Sequence, residues 1–349
     1  MVKLSDKQEK ILENSTHRSV VICAAAVGKT TILTEKIRRV LKSGVDPRKV
    51  VAITFTKMAA EEMRSRLGND CPAEVFIGTI HAYANRILLM GGIDTRQTLD
   101  DEKFDELFPL IEENPECIQE VEWLLLDEAQ DSAPDQFSFM FEMINPEHFF
   151  VVGDVRQSIY GWNGADPKLI QNLGRQWDVE VFDLNENYRN GRNILQFAKK
   201  ILSASGMVDN SFAMRDENGV VHYLEYNVKQ ICGYIKQKQN YKNWAIVTRT
   251  NTQIEQITYA LEREGIPSET FKKGNLTLAQ LKEKMGKDTV KVLTVHTAKG
   301  LEWDNVVVIG ANTRSKEEIR IGYVAATRAR DSLIWTYMPQ RRRGYKNWE

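Results

Sequence analysis

Short, nearly continuous apolar runs alternate with stretches of helical spacing along most of the chain. Residues 19–22, Val50–Thr54, 75–78, 123–127 and 149–153 each read as a strand with both faces covered, the pattern of a buried parallel sheet. Residues 30–41 place Ile32, Ile37, Val40 and Leu41 at helical spacing, and Lys57–Leu67 follows the second strand as another helix. The pattern restarts at 179–184 and continues through Trp244–Thr248, Val290–Thr294, 305–309 and 332–336. Strand and helix repeating in two successive sets predict an α/β protein of two domains, with the boundary at residues 183 and 184. The mostly polar stretch 209–219 reads as a loop.

Composition narrows the class. The chain has 349 residues, 42% hydrophobic and 27% charged, enough for a core in each of two domains and against disorder throughout. No apolar run approaches the ~18 residues of a membrane span, and Met1-Val-Lys-Leu-Ser-Asp-Lys-Gln8 has no apolar signal core, so a cytoplasmic protein without a membrane partner is expected. Four scattered cysteines form no CxxC pair, which excludes an obvious zinc site and a disulfide framework. Charge balances, Lys+Arg 47 against Asp+Glu 48, but unevenly. The stretch from Asp94 to Glu122 is acidic, and the tail carries Arg341-Arg342-Arg343 and Lys346.

Two motifs carry chemistry. Gly28-Lys29-Thr30-Thr31 follows a strand and opens a helix, the setting of a phosphate loop. Free N–H groups of Ala25, Ala26, Val27 and Gly28, with those of the first helical turn, would cradle phosphates, and Lys29 would reach the β and γ phosphates. Thr30 would ligate Mg²⁺. The loop reads Cys23-Ala24-Ala25-Ala26-Val27-Gly28-Lys29-Thr30 and lacks the usual glycine at its start, and alanine tolerates poorly the positive φ or close approach that glycine allows. Leu124-Leu125-Leu126-Asp127-Glu128-Ala129-Gln130-Asp131 is a buried strand ending in adjacent carboxylates. Asp127 would hold the metal and Glu128 would accept a proton from the attacking water.

With these residues in place, the chain resembles the superfamily 1 DNA helicases of the UvrD/Rep/PcrA type, from end to end and in order. Leu4-Ser-Asp-Lys-Gln8 resembles the Q motif, Thr54 to Met63 motif Ia, Gly78-Thr-Ile-His81 motif Ic and Asp127 to Asp131 motif II. Val152 to Ala165 is similar to motif III, Leu184 to Arg189 to motif IV, Thr294 to Trp303 to motif V, and Tyr323 to Arg330 to motif VI. The resemblance implies two tandem RecA-like P-loop NTPase domains with parallel sheets, using ATP and Mg²⁺. It implies that Gln8 reads the adenine edge, Gln157 senses the γ-phosphate, Tyr188 stacks on adenine and Glu302 meets the sugar. Arg189 and Arg328 would place positive charge on the γ-phosphate, a task suited to arginine's planar fork. The nucleotide would then lie between domains, so that turnover drives stepping.

Single-stranded DNA needs aromatic platforms beside a phosphate track. Phe55, Tyr160 and Trp162 follow strand ends and fit that need; His81, Arg249, Asn251 and His296 are candidates for backbone contacts. Asn163 departs from the family, which has arginine there. Two helical insertions of the family, 1B and 2B, are nearly missing. The acidic residues 89–121 stand in for the first and 272–288 for the second. The expectation is a stripped 3′-to-5′ translocase and helicase of replication, repair or recombination, in a bacterial or phage-infected cell. Its substrate would be single-stranded or junction DNA, and a protein partner would supply loading or unwinding. The alanine-rich loop leaves open an ATPase-impaired regulatory protein, or a mediator that displaces proteins from DNA.

Overall fold

The structure is a computed structural model that describes residues 3–15, 17–238, 240–271, 277–312 and 314–337. The chain divides into two compact units, Met1–Asn185 and Glu186–Glu349. Each is built on a six-stranded sheet whose neighbouring strands are all parallel.

In the first unit the strands are β1 (Arg18–Cys23), β2 (Val50–Thr54), β3 (Phe76–Thr79), β4 (Trp123–Leu126), β5 (His148–Gly153) and β6 (Glu180–Leu184), in the order β3-β2-β4-β5-β1-β6. Every residue of β2 and β4 is buried, which is why they read as unbroken apolar runs. Successive side chains go to opposite faces. Leu125 and Phe150 join Ile32, Leu33, Ile37 and Met63 in one core, while Leu124 and Phe149 join Tyr83, Ile87, Phe139 and Met140 in the other. Each such large side chain contributes about 1.5–3 kcal/mol when fully buried. Because β4, β5 and β1 are adjacent, the loops leaving their C-terminal ends are neighbours, the usual place for a ligand in a parallel sheet.

One expectation changes. The run 179–184, read as the start of the second set, forms β6 and closes the edge of the first sheet, pairing with β1 from Ser19↔Glu180 to Cys23↔Leu184. Apolar spacing identifies a strand but not the sheet it joins. The acidic stretch keeps its carboxylates, among them Asp100, Asp101, Asp105, Glu112 and Glu113, on an exposed face. It contains helices Arg96–Asp100 and Leu107–Glu113, and Leu107, Phe108 and Ile111 are buried in the core beside helix Ile80–Met90.

The second unit contains β7 (Glu186–Asn187), β8 (Phe212–Ala213), β9 (Val220–Glu225), β10 (Trp244–Thr248), β11 (Ser268–Phe271), β12 (Val290–Thr294), β13 (Trp303–Ile309) and β14 (Ala329–Tyr337). Its sheet runs β11-β12-β10-β13-β14-β9, with β7 and β8 as a separate parallel pair. Trp244, Ile246, Val292, Val307 and Ile334 centre its core. The stretch 209–219 is irregular apart from β8. Residues 272–276 of the second stand-in segment, and the basic tail with Arg341, Arg342, Arg343 and Lys346, lie outside the described residues. The remainder of that segment carries helix Leu278–Gly286.

Candidate active site

The phosphate loop joins β1 to helix Lys29–Lys42 and is tied to its surroundings by hydrogen bonds. Ala24 N donates to Leu184 O at 2.8 Å, Gln8 Nε2 donates to Val27 O at 2.9 Å, and Arg156 Nη2 donates to Cys23 O at 2.9 Å. Gly28 has φ +82°, where a side chain would be strained, and a Cβ there would crowd Gln8 Nε2 at 3.1 Å. Ala26 sits at φ 60°, a left-handed conformation that costs an L-residue about 1–2 kcal/mol. Ala25 and Val27 are buried, and Thr30 and Thr31 lie in the first turn of the helix. Gln8 is buried and completes a capping box, its Oε1 accepting from Ser5 N at 3.0 Å. Its amide therefore braces the loop, where the resemblance implies contact with a base.

Asp127 and Glu128 leave the end of β4. Asp127 is buried, and its Oδ1 accepts from Glu128 N at 2.9 Å. Glu128 adopts φ 52° and turns its carboxylate onto Lys29, with Oε1 2.7 Å from Nζ. Burial works against the Lys29 charge, but Glu128, Asp127 and Asp154 outweigh it and hold its pKa above the ordinary value. Lys29 thus stays cationic. Among the described residues no group of three or more His, Cys, Asp or Glu is placed to hold a metal. A cation here needs phosphate oxygens to complete its shell. The Thr30 hydroxyl and the Asp127 carboxylate are hard oxygen donors that fit Mg²⁺ on those terms.

Gln130, Asp154 and Arg156, which sequence reasoning passed over, connect these parts. Gln130 is fully buried: its Nε2 donates to Glu128 Oε2 at 2.5 Å, and its Oε1 accepts from Asp154 N at 2.8 Å. The Asp154 carboxylate, also fully buried, accepts from Arg156 Nε at 2.6 Å and from Gln157 Nε2 at 2.7 Å. One network thus runs from Lys29 through Glu128, Gln130 and Asp154 to Gln157, joining the loops after β1, β4 and β5. The available sequence signal was weak: three polar residues following apolar strands.

Three of the aromatic candidates come together in the first unit. Phe55 and Tyr160 have ring centroids 4.7 Å apart, and Tyr160 and Trp162 6.3 Å apart. Trp162 is 61% exposed, whereas Tyr160 is buried and backs its neighbours. A hollow of about 140 Å³ lies beside them, its lining including Phe55, His81, Asn163, Asp127 and Glu128. His81 is engaged by the acidic segment: its Nε2 lies 3.0 Å from Asp105 Oδ1, and its ring packs on Phe104 and Phe108.

In the second unit Arg189, Glu302 and Arg328 gather around the start of β14. Arg189 donates from Nε to Glu302 Oε2 at 2.5 Å and from Nη1 to Thr327 O at 3.2 Å. Burial opposes the Glu302 charge, but Arg189, Arg330 and Arg328 pull its pKa below the ordinary range. Arg328 is buried, and its guanidinium donates to Val324 O, Leu301 O and Thr327 Oγ1 at 3.0, 3.3 and 3.1 Å. Tyr188 is exposed, and its hydroxyl donates to Glu186 Oε2 at 2.9 Å. The DNA candidates differ among themselves. Arg249 is spent on a two-pronged pair with Glu318, at 3.0 and 2.7 Å. Asn251 opens helix Asn251–Arg263 and is exposed, and His296 is half-buried in helix Val295–Ala298.

A parallel sheet with a Gly-Lys-Thr loop after β1, an acidic pair after β4 and a glutamine after β5 defines the first unit as a P-loop NTPase-type fold. The chain belongs to the UvrD-like helicase family: the UvrD/REP helicase N-terminal domain matches residues 4–114 and 103–178, and the UvrD-like helicase C-terminal domain matches 182–276 and 271–340. A "Probable DNA helicase" of Mycoplasma pneumoniae is 23% identical over 460 aligned positions, covering 96% of this chain and 83% of that protein. The alignment is longer than this chain, so that relative carries segments without a counterpart here. An "ATP-dependent DNA helicase PcrA" of Leuconostoc citreum and a "DNA helicase II" of Haemophilus influenzae are each 24% identical over 76% of this chain. The chain spans about half the length of these two, 49% and 50%. Among the described residues no helix is long and apolar enough to cross a membrane.

Proposed function

We propose that the chain is an ATP-dependent motor on single-stranded DNA, a translocase and DNA helicase that uses Mg²⁺ and moves 3′ to 5′. The observation that carries this reading is the hydrogen-bonded network from Lys29 to Gln157, with the Phe55–Tyr160–Trp162 cluster at the same end of the same sheet. Lys29 exchanges Glu128 for phosphate oxygens, which leaves the Glu128 carboxylate to take a proton from the attacking water. Thr30 and Asp127 would hold Mg²⁺, which when bound would neutralise charge developing on the phosphates. Gln157, Arg189 and Arg328 act on the γ-phosphate, Tyr188 and Glu302 on the base and sugar. Trp162, with Phe55, offers a stacking surface to bases, and the Tyr160 ring supports it from below.

In this reading the two units, Met1–Asn185 and Glu186–Glu349, are the two motor domains, the boundary lying just past the expected 183/184 because Leu184 closes β6, and they work in the bacterial cytoplasm, in replication, repair or recombination. With only 89–121 and 272–288 in place of the helical insertions, the motor translocates readily and unwinds long duplex poorly without a partner protein. Displacement of streptavidin from oligonucleotides biotinylated at either end tests it. ATP-dependent release from the 5′ end alone is the expected outcome; release from the 3′ end alone would reverse the polarity, and none from either end would remove the motor. The strained Ala26 supports a second reading, a DNA-binding regulator without turnover, which binding without hydrolysis would favour.

A further inference from the structure

We propose that Arg156 is a positioning residue of the nucleotide site, stapling the start of the phosphate loop to the carboxylate that holds Gln157; this rests on the nucleotide-binding reading above. The strands β1 and β5 pair in register up to Ile22 and Gly153 and then part, β1 into the phosphate loop and β5 into the turn that carries Gln157. Arg156 bridges that fork. Its Nη2 donates to the carbonyl of Cys23, the first residue past the pairing on one side, and its Nε donates to Asp154, the first on the other. The guanidinium is largely buried and Asp154 fully so, which makes the pair well shielded from solvent.

The loop has particular need of such a tie. Its Cys-Ala-Ala-Ala-Val sequence keeps Ala26 in the left-handed region, so its shape is imposed from outside rather than preferred. The tie from Gln8 continues into its own capping box, through Oε1 to Ser5 N, whereas the tie from Arg156 continues into Asp154, whose other oxygen accepts from Gln157. One side chain thus links the loop to the Gln157 amide. Arginine suits the task because its fork donates in two directions at once; a lysine is a point charge that can pair with Asp154 but cannot also hold the Cys23 carbonyl in the same geometry.

The test compares wild type, Lys29→Ala, Arg156→Lys, Arg156→Gln and the neutral pair Arg156→Gln with Asp154→Asn. Steady-state ATP hydrolysis on saturating single-stranded DNA, equilibrium binding of a fluorescent ATP analogue and thermal unfolding are read for each. Arg156→Lys is expected to raise KM and the analogue's Kd about tenfold, the worth of one hydrogen bond from a charged group, with kcat near wild type. Arg156→Gln is expected to raise KM and also lower kcat, since the Asp154–Gln157 contact loosens. A variant that fails to fold is identified by its melting curve. If Arg156→Gln does so, the neutral pair, which leaves no buried charge alone, replaces it under the same criterion. Wild-type KM and Kd in Arg156→Lys would overturn the proposal, as would a fall in kcat with KM unchanged. A wild type that neither binds nor hydrolyses ATP would instead defeat the nucleotide reading itself. Loss in Lys29→Ala beside wild-type behaviour in every Arg156 variant would defeat only the staple.

Discussion

Glu128 Oε1 lies 2.7 Å from Lys29 Nζ, so the proposed proton acceptor and the proposed phosphate-binding cation neutralise each other in the structure described. Hydrolysis requires this pair to part. Glu128→Gln removes the acceptor and leaves Lys29 free for phosphate. The expected result is retained or tighter ATP binding with kcat reduced by about 10²–10⁴, the usual worth of a general base. Isothermal titration beside steady-state kinetics checks it; wild-type kcat in Glu128→Gln would remove Glu128 from the chemistry.

Trp162 is 61% exposed at the end of an aromatic cluster whose inner ring, Tyr160, is buried. Loss of one stacking platform costs about 1–3 kcal/mol per base. Trp162→Ala should therefore raise the single-stranded DNA concentration giving half-maximal ATPase stimulation by an order of magnitude or more, and leave DNA-independent turnover much less affected. Equal loss of both would show that the ring supports the fold rather than DNA.

Ala26 is held at φ 60°, where glycine carries no penalty. Ala26→Gly trades that strain of about 1–2 kcal/mol against extra unfolded-chain entropy of about 0.5–1 kcal/mol. Expected are a small rise in the melting temperature of the first unfolding transition and undiminished ATP turnover. A clear fall in both would mean that the alanine methyl makes contacts the loop depends on.

His148 lies at the start of β5, its ring 5.1 Å from that of His17 and 4.9 Å from that of Trp123. Burial first, then the neighbouring His17 and Arg18, hold its pKa below 6.5 against the opposing pull of Glu147 and Glu122. The unfolded chain then binds more protons than the folded one just below pH 6.5, so stability rises with pH there and is lost as pH falls through 6.5. Melting curves between pH 7.5 and 5.5 should show this loss, and His148→Phe should flatten it. An unchanged slope in the variant would assign the effect to other groups.

The sequence made the interior of both sheets legible. Val50–Thr54, Trp244–Thr248 and Val290–Thr294 appear in the structure with the bounds their apolar runs suggest, because central parallel strands are buried on both faces. β9 (Val220–Glu225) and β11 (Ser268–Phe271) gave no such signal: they are edge strands, half exposed, with polar residues among the apolar ones. The residues of the phosphate loop and the acidic pair announced themselves through local order, a strand followed by Gly28-Lys29-Thr30 or by Asp127-Glu128. Gln130 and Arg156 did not, since each also takes a distant partner, 24 and 133 positions away, that only the adjacency of β4, β5 and β1 brings near. The inward bonding of Arg328 and the pairing of Arg249 with Glu318 were equally beyond reach, because a motif names a residue but not the partners its side chain takes.

The central claim is that this site turns over ATP in response to DNA. Phosphate release from ATP and Mg²⁺, with and without single-stranded DNA, on wild type and Lys29→Ala, tests it most directly. Strong stimulation by DNA in the wild type and loss of turnover in Lys29→Ala are expected. DNA binding without any hydrolysis by the wild type, or turnover that survives Lys29→Ala, would contradict it.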